Sequence, residues 1–498
     1  MDCKVSLLRF FVAWLTINNT FIVIACILPD LPAFYIKIKQ TMQQFDHIIV
    51  GTGQATGTLL GRLIGSGDTI AVIEGGKVGG SCVNYGCTPT KTLVASAKAY
   101  HKAQSGATYG FESVKPRLDY AAVRQRMNEI RYGSSEGLTN WMESTDNVNL
   151  FKGWATFVEE KVLEVEGNTL KGNRIYINVG TRPMAPPING LNEVTCLDSA
   201  GVLDLEELPE HLIIIGGGYI GMEFAQVYKR FGSKVTVIQR AKQVMPKEDK
   251  DVAETIKEFL EKEGVKIHCN AHAHAVKEKN GGIELEIEMG GQTKQIEGSH
   301  LMVAAGRKPN SDTLSLEKAG IKTNDHGFIE VNEYCETNVP GIFAVGDVNG
   351  KGAFTHTSVN DAEIVISKLQ EGDRKLSDRI PIYALFTDPP LGRVGMTEKE
   401  ALEQKGKVLR AIKPMSEISR AKEMSETTGF AKLLVDADTD LILGAAILGP
   451  GGDEIINMFA TIMHSNIPCR QYRKVVLVHP TVSELMPWVL DRLELVEK

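Results

Sequence analysis

The sequence predicts an α/β fold with two Rossmann-like dinucleotide-binding domains, followed by a smaller α+β domain. Residues 47–57 (HIIVGTGQATG) and residues 212–221 (LIIIGGGYIG) each run from an apolar segment into a Gly-x-Gly turn. A segment with helical spacing and a second apolar strand follow each turn, which is the order of a βαβ nucleotide-binding unit. Strand-like segments within residues 432–449 and helical spacing after Asp453 indicate the third domain.

The composition is that of an ordinary globular protein and argues against a nucleic-acid partner. The chain has 498 residues, of which 43% are hydrophobic and 23% are charged, and its net charge is −7. Because no block of basic residues stands out, binding to nucleic acid is not expected. Eight cysteines are too few for a disulfide scaffold. We therefore expect a cytoplasmic protein, since thiols stay reduced in that compartment.

The first part of the chain, residues 1–41, is an apolar extension with three open interpretations. Residues 5–28 are apolar enough for a membrane anchor or for the core of a cleaved signal peptide, although Asn18 and Asn19 interrupt them. Alternatively, translation begins at Met42, directly before the first strand of the first glycine unit. Membrane contact is expected only if residues 5–28 are translated and act as an anchor.

The first glycine unit predicts a site for FAD or NAD. Gly51 and Gly53 would let the backbone approach a pyrophosphate, and the N-terminus of the following helix would supply amide hydrogens. Thr56 stands where a third glycine or an alanine is expected, so we expect a less close approach of helix to strand. Glu74 ends the second strand of the unit. A carboxylate there accepts hydrogen bonds from ribose hydroxyls and repels a 2′-phosphate.

The second glycine unit predicts a preference for NADPH, with NADH as the other option. Gly216, Gly218 and Gly221 complete the Gly-x-Gly-x-x-Gly pattern. Gln239 occupies the acidic position at the end of the second strand, and Arg240 follows it. A glutamine does not repel a 2′-phosphate, and arginine is a natural partner for one.

Residues 79–91 (GGSCVNYGCTPTK) place two cysteines five positions apart, just after the first glycine unit. Zinc would need two more ligands at suitable spacing, and the next histidine is His101, so no metal site is expected. A structural disulfide without a redox role is a second interpretation, which a reducing compartment disfavours. Beside a flavin, Cys82 and Cys87 would take up electrons as a disulfide and pass them on by thiol–disulfide exchange.

The stretch GGSCVNYGCTPTK resembles the redox-active motif of the class I flavoprotein disulfide reductases, also called pyridine nucleotide-disulfide oxidoreductases. The resemblance covers nearly the whole chain after residue 43 and implies roles for individual residues. Cys82 would exchange with substrate, and Cys87 would contact the flavin. Lys91 would lie near flavin N5 and pair with Glu223, which follows the second glycine turn.

Three more features match the same family. Tyr219, in the second glycine turn, would cover the nicotinamide pocket until the cofactor displaces it. Residues 303–310 (VAAGRKPN) resemble the return strand that closes the nicotinamide domain. Residues 341–348 (GIFAVGDV) resemble the second FAD fingerprint, in which Asp347 would bond the ribitol.

Residues 478–484 (VHPTVSE) contain a histidine and a carboxylate suited to manage the protons of thiol exchange. Glu484 reaches back to His479 if a helix begins at Pro480, because proline is favoured at the first helical position. The stretch resembles the family's His-Pro-Thr-x-x-Glu motif, which is donated across the dimer interface. This implies a homodimer with a shared active site, in which His479 of one subunit faces Cys82 of the other.

The resemblance completes the predicted fold class: a domain for FAD, a domain for NAD(P), and a C-terminal α+β dimerisation domain. The expected segments are the extension (1–41), the first part of the FAD domain (42–185), the NAD(P)H domain (186–310), the return part of the FAD domain (311–376) and the dimerisation domain (377–498).

The expected reaction passes electrons from NADPH through FAD and the Cys82–Cys87 disulfide to a small-molecule disulfide or another sulfur-containing, thiol-reactive acceptor. Mercuric reductase is the alternative, because the cysteine motif and GRVGMTE are compatible with it. Family mercuric reductases, however, carry a vicinal C-terminal cysteine pair and lack the histidine–glutamate pair, whereas the last cysteine here is Cys469. Dihydrolipoyl dehydrogenase is less favoured, since that enzyme keeps a glutamate at the position of Gln239.

Two hypotheses come from other functional classes. A binding or anchoring protein would keep the fold without turnover, and the intact cysteines, lysine and histidine–glutamate pair argue against it. A flavin oxidase or quinone reductase would work without the cysteines. Such an enzyme would keep its activity when Cys82 is replaced by serine, and a disulfide reductase would lose it.

Overall fold

The chain forms two compact units, Met1–Met42 and Gln43–Lys498. The structure is a computed structural model that describes residues 12–17, 20–25, 42–114 and 116–498. In the first unit, strands β1 (Val12–Ile17) and β2 (Thr20–Ala25) pair antiparallel. The predictions for residues 5–28 fall partly on residues outside this description. Over the described ranges, no helix combines the length and the apolar character needed to cross a bilayer.

The second unit alternates strands and helices along most of its length. Its strands are β3 (Gln43–Val50), β4 (Ile70–Glu74), β5 (Val148–Lys152), β6 (Thr156–Glu159), β7 (Val162–Val165), β8 (Asn168–Ile177), β9 (Thr181–Pro183), β10 (Cys196–Leu197), β11 (His211–Ile215), β12 (Lys234–Ile238), β13 (Lys266–His268), β14 (Ala271–Lys279), β15 (Gly282–Met289), β16 (Gln292–Gly298), β17 (His300–Val303), β18 (Arg307–Pro309), β19 (Ile342–Ala344), β20 (Ile382–Leu385), β21 (Leu391–Gly395), β22 (Lys407–Pro414), β23 (Phe430–Val435), β24 (Ile442–Leu448) and β25 (Glu494–Glu497). Its α-helices are α1 (Gln54–Leu63), α2 (Gly80–Asn84), α3 (Cys87–Ala103), α4 (Tyr120–Glu143), α5 (Tyr219–Phe231), α6 (Lys250–Lys262), α7 (Thr355–Leu369), α8 (Glu398–Lys405), α9 (Ser419–Glu423), α10 (Gly452–His464), α11 (Cys469–Tyr472) and α12 (Met486–Val489).

The first sheet of this unit carries the first glycine turn. Its order is β5-β4-β3-β8-β7-β6, and β19 pairs with the last part of β8. The neighbours β5, β4, β3, β8 and β19 are parallel. Ile48 and Val50 pack into one core cluster and Ile49 into another, because successive side chains of a strand point to opposite faces. Both faces are therefore buried, which explains the uninterrupted apolar run before the turn.

The second sheet carries the second glycine turn and is parallel throughout. Its order is β10-β17-β11-β12-β13. Helix α5 begins directly after the turn that follows β11 and buries Met222, Phe224 and Tyr228 in the core. A three-stranded antiparallel sheet, β14-β15-β16, and the short pair β9–β18 complete this region.

The third main sheet lies in the C-terminal part and is antiparallel, in the order β20-β21-β24-β23-β22-β25. Helix α10 packs on it through Ile455, Ile456, Phe459 and Ile462, a spacing that puts one apolar helix face on the sheet. A first sheet with a parallel core and antiparallel edge strands β7 and β6, a parallel second sheet and an α+β C-terminal part confirm the predicted fold class. The predicted domain boundaries stay predictions.

Candidate active site

Two cysteines and a threonine meet where helices α3 and α7 begin. Cys82 lies in the short helix α2, and Cys87 is the first residue of α3. Both are free thiols in this structure, and they share a hydrogen bond. The Sγ atom of Cys87 also lies 3.3 Å from Oγ1 of Thr355, the first residue of α7. The five-residue spacing therefore brings both sulfur atoms together, beside a hydroxyl group that the sequence analysis missed.

The surroundings favour a thiolate on Cys87 and a thiol on Cys82. The hydrogen bond from Cys82 lowers the pKa of Cys87 to about 6. The Thr355 hydroxyl and the positive charge of Lys91 also lower this pKa, while burial opposes them. The same hydrogen bond raises the pKa of Cys82, and burial raises it further. Cys82 consequently needs a base before it attacks another sulfur atom, because the thiolate is the nucleophile.

Lys91 and Glu223 form an ion pair beside the cysteines. The Nζ atom of Lys91 lies 3.0 Å from Oε1 and 2.8 Å from Oε2 of Glu223, which is the pairing that the resemblance implied. Lys91 is four residues after Cys87 in α3, so both side chains project from one face of the helix. The backbone N–H of Phe386 donates to Glu223 Oε1 at 3.0 Å, and the Phe386 ring lies 4.6 Å from the Lys91 ammonium. These contacts fix the lysine in place.

The first glycine turn has the shape and the polar groups that FAD requires. Gly51 has a φ of +95°, and a Cβ there would lie 2.4 Å from the carbonyl oxygen of Asn178, so the position requires glycine. Gly53 caps α1 without a side-chain hydrogen bond, which leaves the helix N-terminus to receive a pyrophosphate. Glu74 ends β4 and accepts a hydrogen bond from the Thr52 N–H at 2.9 Å. These residues fit the pyrophosphate and ribose of FAD.

Thr56 replaces the third glycine by making hydrogen bonds of its own. Its hydroxyl donates to the Gly51 carbonyl at 2.8 Å and accepts from Asn178 Nδ2 at 2.9 Å, and the residue is fully buried. At the equivalent position of the second turn, a Cβ on Gly221 would lie 2.0 Å from the Gly216 carbonyl oxygen. The helix therefore approaches the strand less closely in the first turn, and the hydroxyl fills the difference.

Asp347 lies in the 3₁₀ turn Gly346–Asn349, shortly after β19, where the second FAD fingerprint was predicted. Burial raises the pKa of its carboxyl group, and a hydrogen bond from Thr181 together with the charge of Arg307 counteracts this rise. The Thr181 hydroxyl donates to Asp347 Oδ2 at 2.9 Å, and Arg307 Nε donates to that hydroxyl at 2.8 Å. A half-buried carboxylate with one oxygen atom held in this way fits the ribitol chain of FAD.

Gln239 and Arg240 follow β12, at the predicted site for the nucleotide ribose. Gln239 is buried, and its Oε1 accepts from the Gly217 N–H at 3.3 Å while its Nε2 donates to the Gln243 carbonyl at 3.1 Å. The glutamine is thus used to fix the glycine turn. Arg240 and Lys242 are exposed and form no ion pair within the described ranges of the chain.

Tyr219 lines a cavity of about 190 Å³ next to the second glycine turn. Gly218 and Arg307 also line this cavity. The ring of Tyr219 makes edge contacts with Tyr383 and Phe354, at centroid distances of 5.3 Å and 5.9 Å. The tyrosine therefore lies at the second glycine turn, and its role as a cover for the nicotinamide stays a prediction.

His479 and Glu484 form the predicted pair, but the helix expected at Pro480 is absent. His479 Nδ1 lies 2.9 Å from both carboxylate oxygens of Glu484. The first helical turn is a 3₁₀ helix at Ser483–Leu485, and the Thr481 hydroxyl accepts from the Glu484 N–H at 3.2 Å. This local hydrogen bond, and not a helix from Pro480, turns the carboxylate back to the imidazole. His479 is 75% exposed and, in the part of the chain that the structure describes, makes no hydrogen bond to a cysteine.

No metal site is found among the described residues. They contain no group of three or more histidine, cysteine, aspartate or glutamate side chains placed to hold a metal ion. The roles predicted for the glycine turns, the cysteine pair and the histidine–glutamate pair stay predictions.

Sequence and structure comparisons connect this arrangement to known enzymes. The profile of the pyridine nucleotide-disulphide oxidoreductases matches residues 45–362, and the profile of their dimerisation domain matches residues 382–490. The chain belongs to this family.

Relatives in the family have the names of different enzymes. The probable pyridine nucleotide-disulfide oxidoreductase RclA of Escherichia coli is 36% identical over 89% of this chain and 98% of its own length. Dihydrolipoyl dehydrogenase of Geobacillus stearothermophilus is 31% identical over 88% and 94%. Mercuric reductase of Staphylococcus aureus is 32% identical over 83% and 76%. A solved copper(II) complex of the HOCl-induced flavoprotein disulfide reductase RclA covers 89% of this chain and 98% of its own, with 35% identity and a TM-score of 0.81.

Membership of the family confirms the resemblance found in the sequence and the class of enzyme. The protein is an NAD(P)H-dependent flavoprotein oxidoreductase that acts on a sulfur group, and FAD is the cofactor of its family. The structure adds Thr355, Tyr383 and Phe386 to the residues around the site. Sequence spacing gave no signal for any of the three, since each is far along the chain from the side chain that it contacts.

Proposed function

We propose that this enzyme uses NADPH to reduce a small-molecule disulfide or another sulfur-containing acceptor through the Cys82–Cys87 pair. The observation that supports the proposal most strongly is the position of Cys87 Sγ at 3.3 Å from the Thr355 hydroxyl, in the same helix as Lys91, which pairs with Glu223. These surroundings lower the pKa of Cys87 to about 6, the hydrogen bond with Cys87 raises the pKa of Cys82, and His479 and Glu484 form an acid–base pair. FAD, held by the first glycine turn, Glu74 and Asp347, would supply the transfer of two electrons from NADPH to the cysteine disulfide.

The exchange with substrate then needs two thiol steps and a proton carrier. His479 accepts the Cys82 proton, and the Cys82 thiolate attacks one sulfur of the substrate disulfide. The substrate S–S bond breaks, a mixed disulfide forms on Cys82, and the leaving thiolate takes the proton from His479. Cys87 next attacks the Cys82 sulfur, which reforms the internal disulfide and releases the second substrate thiolate. Glu484 orients the imidazole and stabilises its protonated form.

The proton carrier would come from a second copy of the chain. His479 is exposed, and Val476 and Val478 beside it are 94% and 76% exposed. Apolar side chains grouped in this way favour burial against a partner, and this segment lies within the residues that match the dimerisation profile. In the homodimer, His479 of the partner subunit would face Cys82. The segments predicted for the FAD, NAD(P)H and dimerisation domains belong to the same proposal.

The choice of NADPH depends on the second glycine unit. Gln239 contributes no charge, and Arg240 and Lys242 present two exposed cations without ion-pair partners in the described part of the chain. A 2′-phosphate would bind such cations. Replacing Arg240 by glutamine should raise the KM for NADPH and leave the KM for NADH unchanged. Equal changes for both cofactors would contradict the assignment.

Reduction of a thiophilic metal ion is the second candidate function. The relatives include a mercuric reductase, and RclA was solved as a copper(II) complex. Hg(II) or Cu(II) would bind the two thiols of the reduced pair. Dihydrolipoyl dehydrogenase activity is less favoured, because Gln239 replaces the carboxylate expected for NAD. We place the enzyme in the cytoplasm, where its few cysteines would stay reduced.

One experiment separates these candidates. NADPH oxidation by the FAD-loaded full chain is followed without oxygen, with low-molecular-weight disulfides, Hg(II), Cu(II) and a quinone as parallel acceptors. The proposal expects sustained turnover with a disulfide that Cys82→Ser abolishes and that the matched variant Cys196→Ser, at a half-buried thiol, retains. Turnover with a metal ion alone would establish the second candidate. Turnover with a quinone that continues in the Cys82→Ser variant would contradict both candidate functions.

A further inference from the structure

The ring of Tyr219 is held by two other aromatic rings. Its plane is inclined by 81° to the ring of Tyr383 and by 88° to the ring of Phe354. Phe354 and Tyr383 are themselves stacked, with a centroid distance of 5.4 Å and an interplanar angle of 12°. Tyr219 therefore meets a stacked pair edge-on, which is a favourable aromatic geometry.

Tyr383 of the stacked pair is held by a buried ion pair. The Tyr383 hydroxyl donates to Glu248 Oε1 at 2.7 Å. The other oxygen of Glu248 accepts from Arg393 Nη2 at 2.6 Å and from Nε at 3.1 Å, and these two side chains are 0% and 1% exposed. A fully buried, hydrogen-bonded ion pair has one well-defined arrangement, because breaking it would leave a buried charge unpaired. Tyr383 is thus attached to a rigid support.

The same aromatic pair also borders the redox cysteines. Phe354 directly precedes Thr355, whose hydroxyl contacts Cys87 Sγ. Tyr219 itself lines the cavity next to the second glycine turn. The contacts of Tyr219 with Tyr383 and Phe354 therefore lie between the proposed nicotinamide pocket and the cysteine pair.

We propose that Tyr383, fixed by Glu248, is a positioning residue that holds Tyr219 in its closed position and thereby sets the affinity for NADPH and NADP⁺. The inference rests on the proposed function and on the displacement of Tyr219 by the nicotinamide, which the family resemblance implies. Displacement must break the edge contacts of Tyr219, so the closed form competes with the dinucleotide. The apparent dissociation constant then exceeds the intrinsic one by the inverse of the open fraction.

Loss of the Tyr383 contact should therefore tighten binding. One aromatic pair corresponds to about a 2- to 10-fold factor in an equilibrium constant, and the open fraction rises by about that factor. Damage to the structure would have the opposite sign, since it lowers affinity. We also expect the KM for NADPH to fall while kcat stays the same or falls, because NADP⁺ leaves more slowly.

The test is calorimetric titration of the oxidised, FAD-loaded enzyme with NADP⁺. Tyr383→Leu should lower the Kd about 2- to 10-fold, whereas in a Tyr219→Leu background the same change should have no effect, because the two residues act through one contact. Tyr383→Phe keeps the ring, releases it from Glu248, and should lower the Kd by a smaller factor. Tyr472→Leu is the matched control: Tyr472 also forms an edge pair, with Phe459 at 5.9 Å, and is more deeply buried than Tyr383, and its loss should leave the Kd unchanged.

Two results would overturn the inference. One is a Kd for both Tyr383 variants that equals or exceeds that of the wild-type enzyme, and the other is an equal decrease in the Tyr219→Leu background. Reduction of the wild-type flavin by NADPH is measured alongside. If NADPH fails to reduce the flavin, the proposed function fails; if it reduces the flavin but the Kd does not fall, only the role of Tyr383 fails.

Discussion

The hydroxyl of Thr355 should control the charge of Cys87, and the isosteric change Thr355→Val tests this. The hydroxyl lies 3.3 Å from Cys87 Sγ and lowers the pKa of that thiol, which is about 6. A hydrogen bond to a charged group contributes about 1.5 kcal/mol at the low end of its range, the end that applies to a partly exposed thiolate. Since 1.36 kcal/mol equals about one pKa unit, the variant should have a Cys87 pKa of about 7.

The assay is thiolate absorbance against pH in the Cys82→Ser background, where Cys87 is the remaining thiol of the pair. The Cys82→Ser, Cys87→Ser protein supplies the baseline from the other cysteines. The titration midpoint of Cys87 should be about one pKa unit higher in the Cys82→Ser, Thr355→Val protein than in the Cys82→Ser protein. Thr139→Val is the matched control, because that hydroxyl is also half-buried and donates to the Ser135 carbonyl in α4. An unchanged midpoint in Thr355→Val would refute the role assigned to the hydroxyl.

Three further predictions concern the ion pair, the proton carrier and the second glycine turn. Lys91→Met leaves the buried Glu223 carboxylate unpaired and should reduce the free energy of unfolding in urea by about 3 kcal/mol. This is the low end for a buried pair, because the lysine is 32% exposed. The control is Lys152→Met, at a surface pair that is 65% and 49% exposed, which should reduce the free energy of unfolding by less than about 1 kcal/mol. His479→Gln should slow disulfide turnover by about 10²- to 10⁴-fold while flavin reduction by NADPH in stopped flow stays unchanged, and a slower flavin reduction would count against a role limited to protons. Gly221→Ala places a Cβ 2.0 Å from a carbonyl oxygen, so the helix must move. We expect the free energy of unfolding to fall by about 1–3 kcal/mol and NADP⁺ binding to weaken in calorimetry. Wild-type affinity would show that the close approach of helix to strand is not needed.

The parts of the site that the sequence could predict are local in the chain. The glycine turns, Cys82 with Cys87, and His479 with Glu484 all lie within short segments, where strand and helix periodicity decides which side chains meet. Residues from different segments could be joined only through the family resemblance, as with Lys91 and Glu223. The structure agrees with that pairing at 2.8 Å.

The parts that could not be predicted depend on tertiary contacts. Thr355 is 268 residues from Cys87, and Tyr383 is 135 residues from Glu248. Nothing in local spacing indicates such neighbours. The expected helix at Pro480 was wrong because a side-chain hydrogen bond to Thr481 provides another way to turn the chain. Short polar side chains compete with helix formation in this way, and a sequence pattern does not show which arrangement wins.

Proton balance explains why the histidine–glutamate pair favours a disulfide acceptor over a metal ion. Reducing a disulfide with NADPH takes up one proton from solution and yields two thiols, so a leaving thiolate must be protonated in each turnover. Reducing a divalent metal ion with the same two electrons takes up no proton. Cys82 has a raised pKa and must also lose a proton before it attacks a sulfur atom. In the proposed reaction His479, held by Glu484 at 2.9 Å, would perform both transfers in succession, whereas binding of a metal ion would use only the first, because no thiolate leaves.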